Sequence, residues 1–173
     1  MILRLAVALF ALALLAPASV VPARADAKSF LQSLEGNWRG SGTLRVGRKG
    51  RQAKVRCTLR NTYAKGSRRL TLSGRCAATQ GTRPVRGSLT ASANGRSITG
   101  TAFRSVAGAK VVSSSSRLSG NRLTITNRVV DEGQGRTVRT RTVISGGGRR
   151  FRVTVSANDG SGFKPAGSLS FRR

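Results

Sequence analysis

Apolar and polar residues alternate along almost the whole chain after residue 40. In this period-2 pattern every second side chain lies on the same face, which is typical of β-strands with one buried face. The alternating runs predict ten strands, at residues 41–47, 53–63, 69–78, 84–92, 96–104, 109–118, 121–130, 136–145, 149–157 and 163–172. Turn sequences such as Asn94-Gly95 and Gly146-Gly147-Gly148 separate the runs.

The short connections indicate how these strands pair. They leave no room for crossover helices, so each strand is expected to pair antiparallel with its neighbour in sequence. A ten-strand meander most simply closes into an up-and-down β-barrel, which removes exposed edges, and a β-sandwich is the alternative. Only residues 26–35 have helical spacing, with Asp26 as the cap and Phe30, Leu31 and Leu34 on one face. We expect this helix to close one end of the barrel.

The alternation also divides the side chains into an inward and an outward set. The expected interior mixes aliphatic residues with Ser, Thr, Gly and Ala, so it is either narrow and filled or has residual space. The inward positions are Leu44, Val46, Ile98, Ala102, Leu118, Leu123, Ile125, Val129, Val138, Ile144, Phe151, Val153, Val155, Leu169 and Phe171. The outward positions are rich in arginine and include Arg45, Arg122, Arg128, Arg139, Arg141, Arg150 and Arg152.

Residues 1–25 have the organisation of a secretory signal peptide. Arg4 precedes an apolar run over 5–16, and Ala23-Arg24-Ala25 matches an A-x-A cleavage site. The apolar run is shorter than the roughly 20 residues that a membrane-spanning helix needs. We therefore expect cleavage after Ala25, a single domain over 26–173 without a transmembrane segment, and a periplasmic or secreted location in a bacterium.

An exported protein can form disulfides, and the chain has two cysteines. Cys57 and Cys76 lie on two adjacent strand runs, on either side of the turn over 64–67. If they face each other, Val55 faces Ala78 and the apolar residues of both strands share one face, an agreement that a one-residue slip would break. The sequence therefore predicts a Cys57–Cys76 cross-strand disulfide. A redox-active pair is the alternative, although no C-x-x-C motif supports it.

The composition argues against catalysis. The chain contains 32 Lys and Arg, five Asp and Glu and no His, a formal net charge of +27. Without histidine there is no imidazole general base and no His-ligated metal or haem. Five scattered carboxylates offer little for a two-carboxylate site. We expect a protein that is not an enzyme, with no catalytic residues, no metal and no cofactor.

The same charge points to anionic partners. A strongly positive field attracts polyanions, and arginine binds phosphate through paired hydrogen bonds. Anionic lipid, lipopolysaccharide and acidic polysaccharide are the expected partners. Nucleic acid would bind only nonspecifically, because the strands supply neither a recognition helix nor an outward aromatic platform. Alternatively, the charge only keeps the surface solvated. The candidate anionic-ligand patch comprises Arg48, Lys49, Arg51, Lys54, Arg56, Arg60, Arg69 and Arg75.

The segment Gly36-Asn37-Trp38-Arg39-Gly40-Ser41-Gly42 resembles the G-x-W opening of the calycins, the lipocalin and fatty-acid-binding group. Its longer form is similar to the start of nitrobindin-type ten-stranded barrels. The resemblance implies that Trp38, flanked by Gly36 and Gly40, packs at one barrel end beneath an arginine of the last strand. Alternation favours Arg173 for that role, with Arg172 as the alternative. The haem-binding version needs a histidine, which this chain lacks.

Two further resemblances bear on function. The whole pattern is similar to a group of small exported alphaproteobacterial proteins that are uncharacterised, and it implies a non-enzymatic, lipocalin-like protein that binds anionic envelope components or a small ligand. The chain also resembles bacterial metalloprotease-inhibitor barrels, which are exported and disulfide-bonded. In that alternative, residues 26–33 would be the N-terminal segment that enters a protease. The identity of any protein partner stays open.

Overall fold

The computed structural model describes residues 26–46, 51–104, 109–131, 136–158 and 160–173, so the predicted leader over 1–25 lies outside the described residues. The elements are α1 (Ala27–Ser33), β1 (Gly36–Val46), β2 (Arg51–Ala64), β3 (Arg69–Ala78), β4 (Gly81–Ala91), β5 (Ile98–Arg104), β6 (Ala109–Ser119), β7 (Arg122–Asp131), β8 (Arg136–Gly147), β9 (Arg150–Asn158) and β10 (Lys164–Arg172). Among the described residues, no helix is long and apolar enough to cross a membrane.

All ten strands form one antiparallel sheet in the order β5-β4-β3-β2-β1-β10-β9-β8-β7-β6. Because the first strand pairs with the last, the sheet curls into a nearly closed barrel whose two free edges are β5 and β6. The up-and-down barrel is therefore confirmed over the sandwich. The strand β1 begins at Gly36 rather than at 41, since the G-x-W segment itself pairs with β2 and places Gly36 opposite Asn61.

Serine side chains bridge the gap between β5 and β6. The Ser114 hydroxyl donates to the Gly100 carbonyl at 3.2 Å, and the Ser116 hydroxyl donates to the Ile98 carbonyl. These two strands are the ends of the hydrogen-bonded sheet, so their carbonyls have no ladder partner across the gap. The hydroxyls supply that partner, which gives the serine run of β6 a structural purpose.

Helix α1 closes one end of the barrel, as predicted. Asp26 caps it by accepting hydrogen bonds from the Ser29 hydroxyl and the Ser29 and Lys28 backbone N–H groups, which lower the pKa of Asp26 below its ordinary value of 3.8. The apolar face of α1 is buried in the main core cluster, through Ala27, Phe30, Leu31 and Leu34.

The hairpin β2–β3 has the predicted register. Cys57 and Cys76 are directly opposite and form a disulfide, and Asn61 faces Leu72. Along β2 every second residue from Ala53 to Tyr63 is buried, and the residues between them are exposed. The agreement between disulfide position and buried face therefore holds in the structure.

We expect the double substitution Cys57→Ala/Cys76→Ala, or reduction of the disulfide, to lower the free energy of unfolding by about 3 kcal/mol. The bond closes a loop with a sequence separation of 19 residues, and this estimate follows from the chain entropy that such a loop loses. Urea denaturation of both forms measures the change. The far-ultraviolet β spectrum should persist after reduction, and its complete loss would contradict this prediction.

Candidate functional site

Aromatic side chains fill the barrel end beneath α1. The Trp38 indole Nε1–H donates to the Leu34 carbonyl at 2.9 Å. The Phe151 ring meets the Trp38 ring edge-on with centroids 4.7 Å apart, and it stacks on Phe171 at 4.6 Å. Because these rings come from β1, β9 and β10, they fasten the first strand to the last two.

Arg173 covers this aromatic cluster. Its guanidinium carbon lies 4.7 Å from the centroid of the Trp38 ring, a cation–π contact. Its Nη2 atom also donates to the backbone carbonyls of Ser33, at 3.4 Å, and of Glu35. Arg172, the alternative, is exposed on the outer wall instead. The contact implied by the calycin resemblance is thus made by Arg173.

The two glycines flanking Trp38 have separate reasons to lack a side chain. Gly36 adopts a φ of 120°, and a Cβ there would lie 3.3 Å from the Arg173 Nε atom. A Cβ on Gly40 would lie only 2.3 Å from Cδ1 of Phe171. Gly36 and Gly40 therefore meet a packing requirement of the barrel end.

The opposite half of the barrel contains a cavity of about 390 Å³. Residues of nine strands line it, and most are apolar, including Leu44, Val85, Val129, Val155 and Leu169. The small interior residues therefore leave space in this half of the barrel. Arg45, which is exposed, also lines the cavity.

A buried amide gives this cavity its polar character. Asn127 is 7% exposed, and its Oδ1 atom is buried without a hydrogen-bond partner among the described residues. It faces Thr140 across β7 and β8, and Thr142, which is 6% exposed, is the next inward residue of β8. A buried acceptor left unpaired costs about 1–3 kcal/mol, so a donor entering the cavity would gain by meeting Asn127.

Sequence alternation missed Phe103 as a cavity residue. It assigns Ala102 to the interior and therefore Phe103 to the outside, yet both side chains line the cavity. The register between β4 and β5 shifts between Arg86 and Ser88, and Phe103 has a φ of 56°, rare for an aromatic residue. This irregularity turns the ring inward, within 6.1 Å of the Phe171 ring centroid. No local sequence feature marks it.

The described part of the predicted anionic patch lies on the outer wall of the barrel. Its described residues are all exposed, namely Arg51, Lys54, Arg56, Arg60, Arg69 and Arg75, whereas Arg48 and Lys49 lie outside the described residues. Three of them, Arg56, Arg60 and Arg75, line concave surface. Arg51, Lys54 and Arg69 lie outside that surface.

The concave surface extends instead across the junction of the chain ends. A groove of about 820 Å³ crosses β4, β3, β2, β1, β10 and β9, and a smaller depression of about 500 Å³ continues it to Arg60. We call the larger surface the arginine groove; its five arginines are Arg39, Arg56, Arg75, Arg150 and Arg172. Sequence reasoning left Arg39, Arg150 and Arg172 out of the patch, because the predicted first strand began at residue 41 and the pattern did not fix its register against the last strand.

The part of the chain that the structure describes offers no cluster for a metal. No three His, Cys, Asp or Glu side chains come together there. The two cysteines are consumed by the disulfide, and the described carboxylates Asp26 and Glu35 are engaged with backbone N–H groups. The arrangement can therefore bind through hydrogen bonds, apolar contacts and arginine charge.

We expect Gly40→Ala to lower the free energy of unfolding by about 1–3 kcal/mol, because the added methyl group overlaps the Phe171 ring. The matched control is Gly66→Ala, since a Cβ at Gly66 meets nothing within 4 Å. Urea denaturation should show a loss for Gly40→Ala and little change, or a small gain, for the control. Equal stability of the two variants would contradict the assigned packing role.

We expect Arg173→Ala to lower the free energy of unfolding by about 2 kcal/mol, through loss of the contact with Trp38 and of the bonds to the helix carbonyls. Arg172→Ala removes the same charge one residue away and should change stability by less than about 0.5 kcal/mol. Chemical denaturation compares the two. A larger loss for Arg172→Ala would show that the wrong arginine had been assigned.

Comparison with known proteins rests on architecture alone. No protein-family model matches this chain, and no curated protein sequence matches it. The ten-stranded, antiparallel, nearly closed barrel fits a calycin-like fold.

Proposed function

We propose that this chain is an exported, non-enzymatic, lipocalin-like binding protein that holds a small ligand in the barrel cavity. The observation that carries the proposal is the amide oxygen of Asn127, which has no hydrogen-bond partner among the described residues and lies in an otherwise largely apolar cavity. Small-molecule sites are commonly apolar cavities of about 300–1,000 Å³ with a few placed polar groups. The cavity of about 390 Å³ falls within that range.

The cavity lining restricts the chemistry of the ligand. Asn127 Oδ1 accepts a hydrogen bond, so the ligand should carry a hydroxyl or an amide N–H at that depth. The aliphatic walls favour an apolar body around this donor. The exposed Arg45 favours a negative group at the other end of the same molecule. An amphipathic molecule with one buried donor and one anionic group meets all three requirements.

Export is supported by two independent features. The segment over 1–25 has the pattern of a cleavable leader, and a disulfide links Cys57 to Cys76. Disulfides form and persist in oxidising compartments such as the bacterial periplasm. The similarity to small exported alphaproteobacterial proteins belongs to the same proposal.

The burial of α1 argues against the protease-inhibitor alternative. That alternative requires residues 26–33 to be available for insertion into a protease, whereas residues 27–33 form α1. Ala27 and Leu31 in that helix are both 0% exposed. Releasing the segment would expose the aromatic cluster beneath it, and no described feature compensates for that cost.

Native mass spectrometry of the protein purified gently from its own host tests the proposal. We expect an added mass from a bound small molecule in the wild type. Asn127→Leu should lose it, because the side chain keeps its approximate size but no longer accepts a hydrogen bond. The same substitution on an exposed turn, Asn121→Leu, should retain it. A wild-type protein that shows only its own mass would contradict the proposal.

Stability of the ligand-free variant separates loss of binding from loss of fold. Asn127→Leu removes an unpaired buried acceptor, so its free energy of unfolding should equal or exceed that of the wild type, by up to about 3 kcal/mol. Urea denaturation after ligand removal gives this value. A strongly destabilised Asn127→Leu variant would mean that Asn127 supports the barrel rather than a ligand.

A further inference from the structure

We infer that the arginine groove on the outer wall is a second binding site, and that its ligand is a linear chain of phosphate groups. The inference does not depend on the proposed cavity ligand, because the groove faces solvent on the other side of the strands. Three observations support it: the order of the arginines across five strands, the absence of acidic side chains among the described residues that line the groove, and the small residues between the arginines.

Four of the five groove arginines follow one line across the sheet. Register places Arg75 opposite Thr58, Thr58 opposite Arg39, Arg39 opposite Arg172, and Arg172 opposite Arg150. Neighbouring strands are about 4.8 Å apart, so the line extends for about 19 Å. This length exceeds the reach of a single phosphate and suits several phosphates joined in a chain.

Small side chains lie beside this line. A second row of side chains lies two residues further along each strand. In this row Arg56 is opposite Ser41, and Ser41 is opposite Ser170. The short side chains of Ser41, Ser170 and Thr58 leave a depression between the longer arginine side chains. A narrow chain can therefore lie in the depression, with guanidinium groups on either side and hydroxyl groups beneath it.

Nothing acidic among the groove's lining residues balances its charge. Arg39, Arg172 and Arg150 occupy directly facing positions on three adjacent strands, an arrangement that costs stability when the charges are alike. None of these three guanidinium groups has a hydrogen-bond or ion-pair partner among the described residues. A bound polyanion would remove the repulsion and would supply hydrogen-bond acceptors that match the guanidinium fork.

The surroundings favour a chain of phosphates over a membrane or a nucleic acid. Among the described residues, the one large apolar side chain that is strongly exposed is Val112, at 57%, and it lies on β6, away from the groove. No large, strongly exposed apolar side chain among the described residues therefore lies beside the arginines to receive an acyl chain. Trp38 and Phe171, the aromatic residues nearest the groove, are buried and cannot stack on bases.

Titration with short linear inorganic polyphosphate tests the inference, with binding followed by calorimetry at two salt concentrations. Arg39→Gln/Arg172→Gln removes a facing pair from the groove. The matched control, Arg128→Gln/Arg139→Gln, removes an equally exposed facing pair from β7 and β8. We expect the groove pair to weaken binding about tenfold or more and to reduce the salt slope by about 2, and the control pair to change affinity less than about twofold.

Three outcomes would overturn the inference. The first is an absence of polyphosphate binding by the wild type at low salt. The second is an equal loss in the groove and control pairs, which would show that net charge alone attracts the ligand. The third is displacement of polyphosphate by single-stranded DNA or by anionic lipid vesicles at lower phosphate concentration, which would assign the surface to that partner instead.

The same titration on Asn127→Leu keeps the two sites distinct. This variant alters the cavity and leaves the outer wall unchanged, so it should bind polyphosphate as the wild type does. Thermal unfolding should show Arg39→Gln/Arg172→Gln at least as stable as the wild type, because like charges have been removed, and it should show that Arg128→Gln/Arg139→Gln, which also loses the Arg139 contact with the Phe163 ring, stays folded. Impaired polyphosphate binding by Asn127→Leu would contradict the independence of the groove.

Discussion

The pairing of β1 with β10 joins the two ends of the described chain, and the barrel depends on it for closure. Gly40 leaves space for the Phe171 ring, Phe171 stacks on Phe151, and Arg173 covers Trp38. Helix α1 then seals this end, because its last carbonyls accept hydrogen bonds from Trp38 and Arg173. Without this pairing the sheet would be an open meander, with neither an enclosed cavity nor an arginine groove.

The same strands carry two different chemistries on their two faces. On β1 and β10, Leu44 and Leu169 line the cavity, whereas Arg39 and Arg172 line the groove. Successive side chains of a strand point to opposite faces of the sheet, so only the backbone of the strand separates the cavity from the groove. An interior site can therefore be altered by substitutions that leave the exterior unchanged, and the reverse also holds.

Local patterns predicted most of the fold, and long-range contacts set the rest. The register of Cys57 and Cys76 was predictable because both strands flank one short turn. The start of α1 was predictable because Asp26 is a common N-cap residue. The pairing of Arg39 with Arg172 was not predictable, because two residues more than a hundred positions apart leave no local pattern in the sequence. The inward position of Phe103 was missed for another reason. One register shift between β4 and β5 places its side chain on the face opposite to the one that alternation predicts.

The serine hydroxyls between β5 and β6 have a consequence for self-association. Unpaired carbonyls along a strand edge are the usual template on which a second copy adds its own strand and begins to aggregate. Here the Ile98 and Gly100 carbonyls already accept hydrogen bonds from the facing strand. At these positions the barrel offers an incoming strand no free acceptor. The sheet has no backbone hydrogen bonds between β5 and β6, and the serine hydroxyls protect this edge against polymerisation in their place.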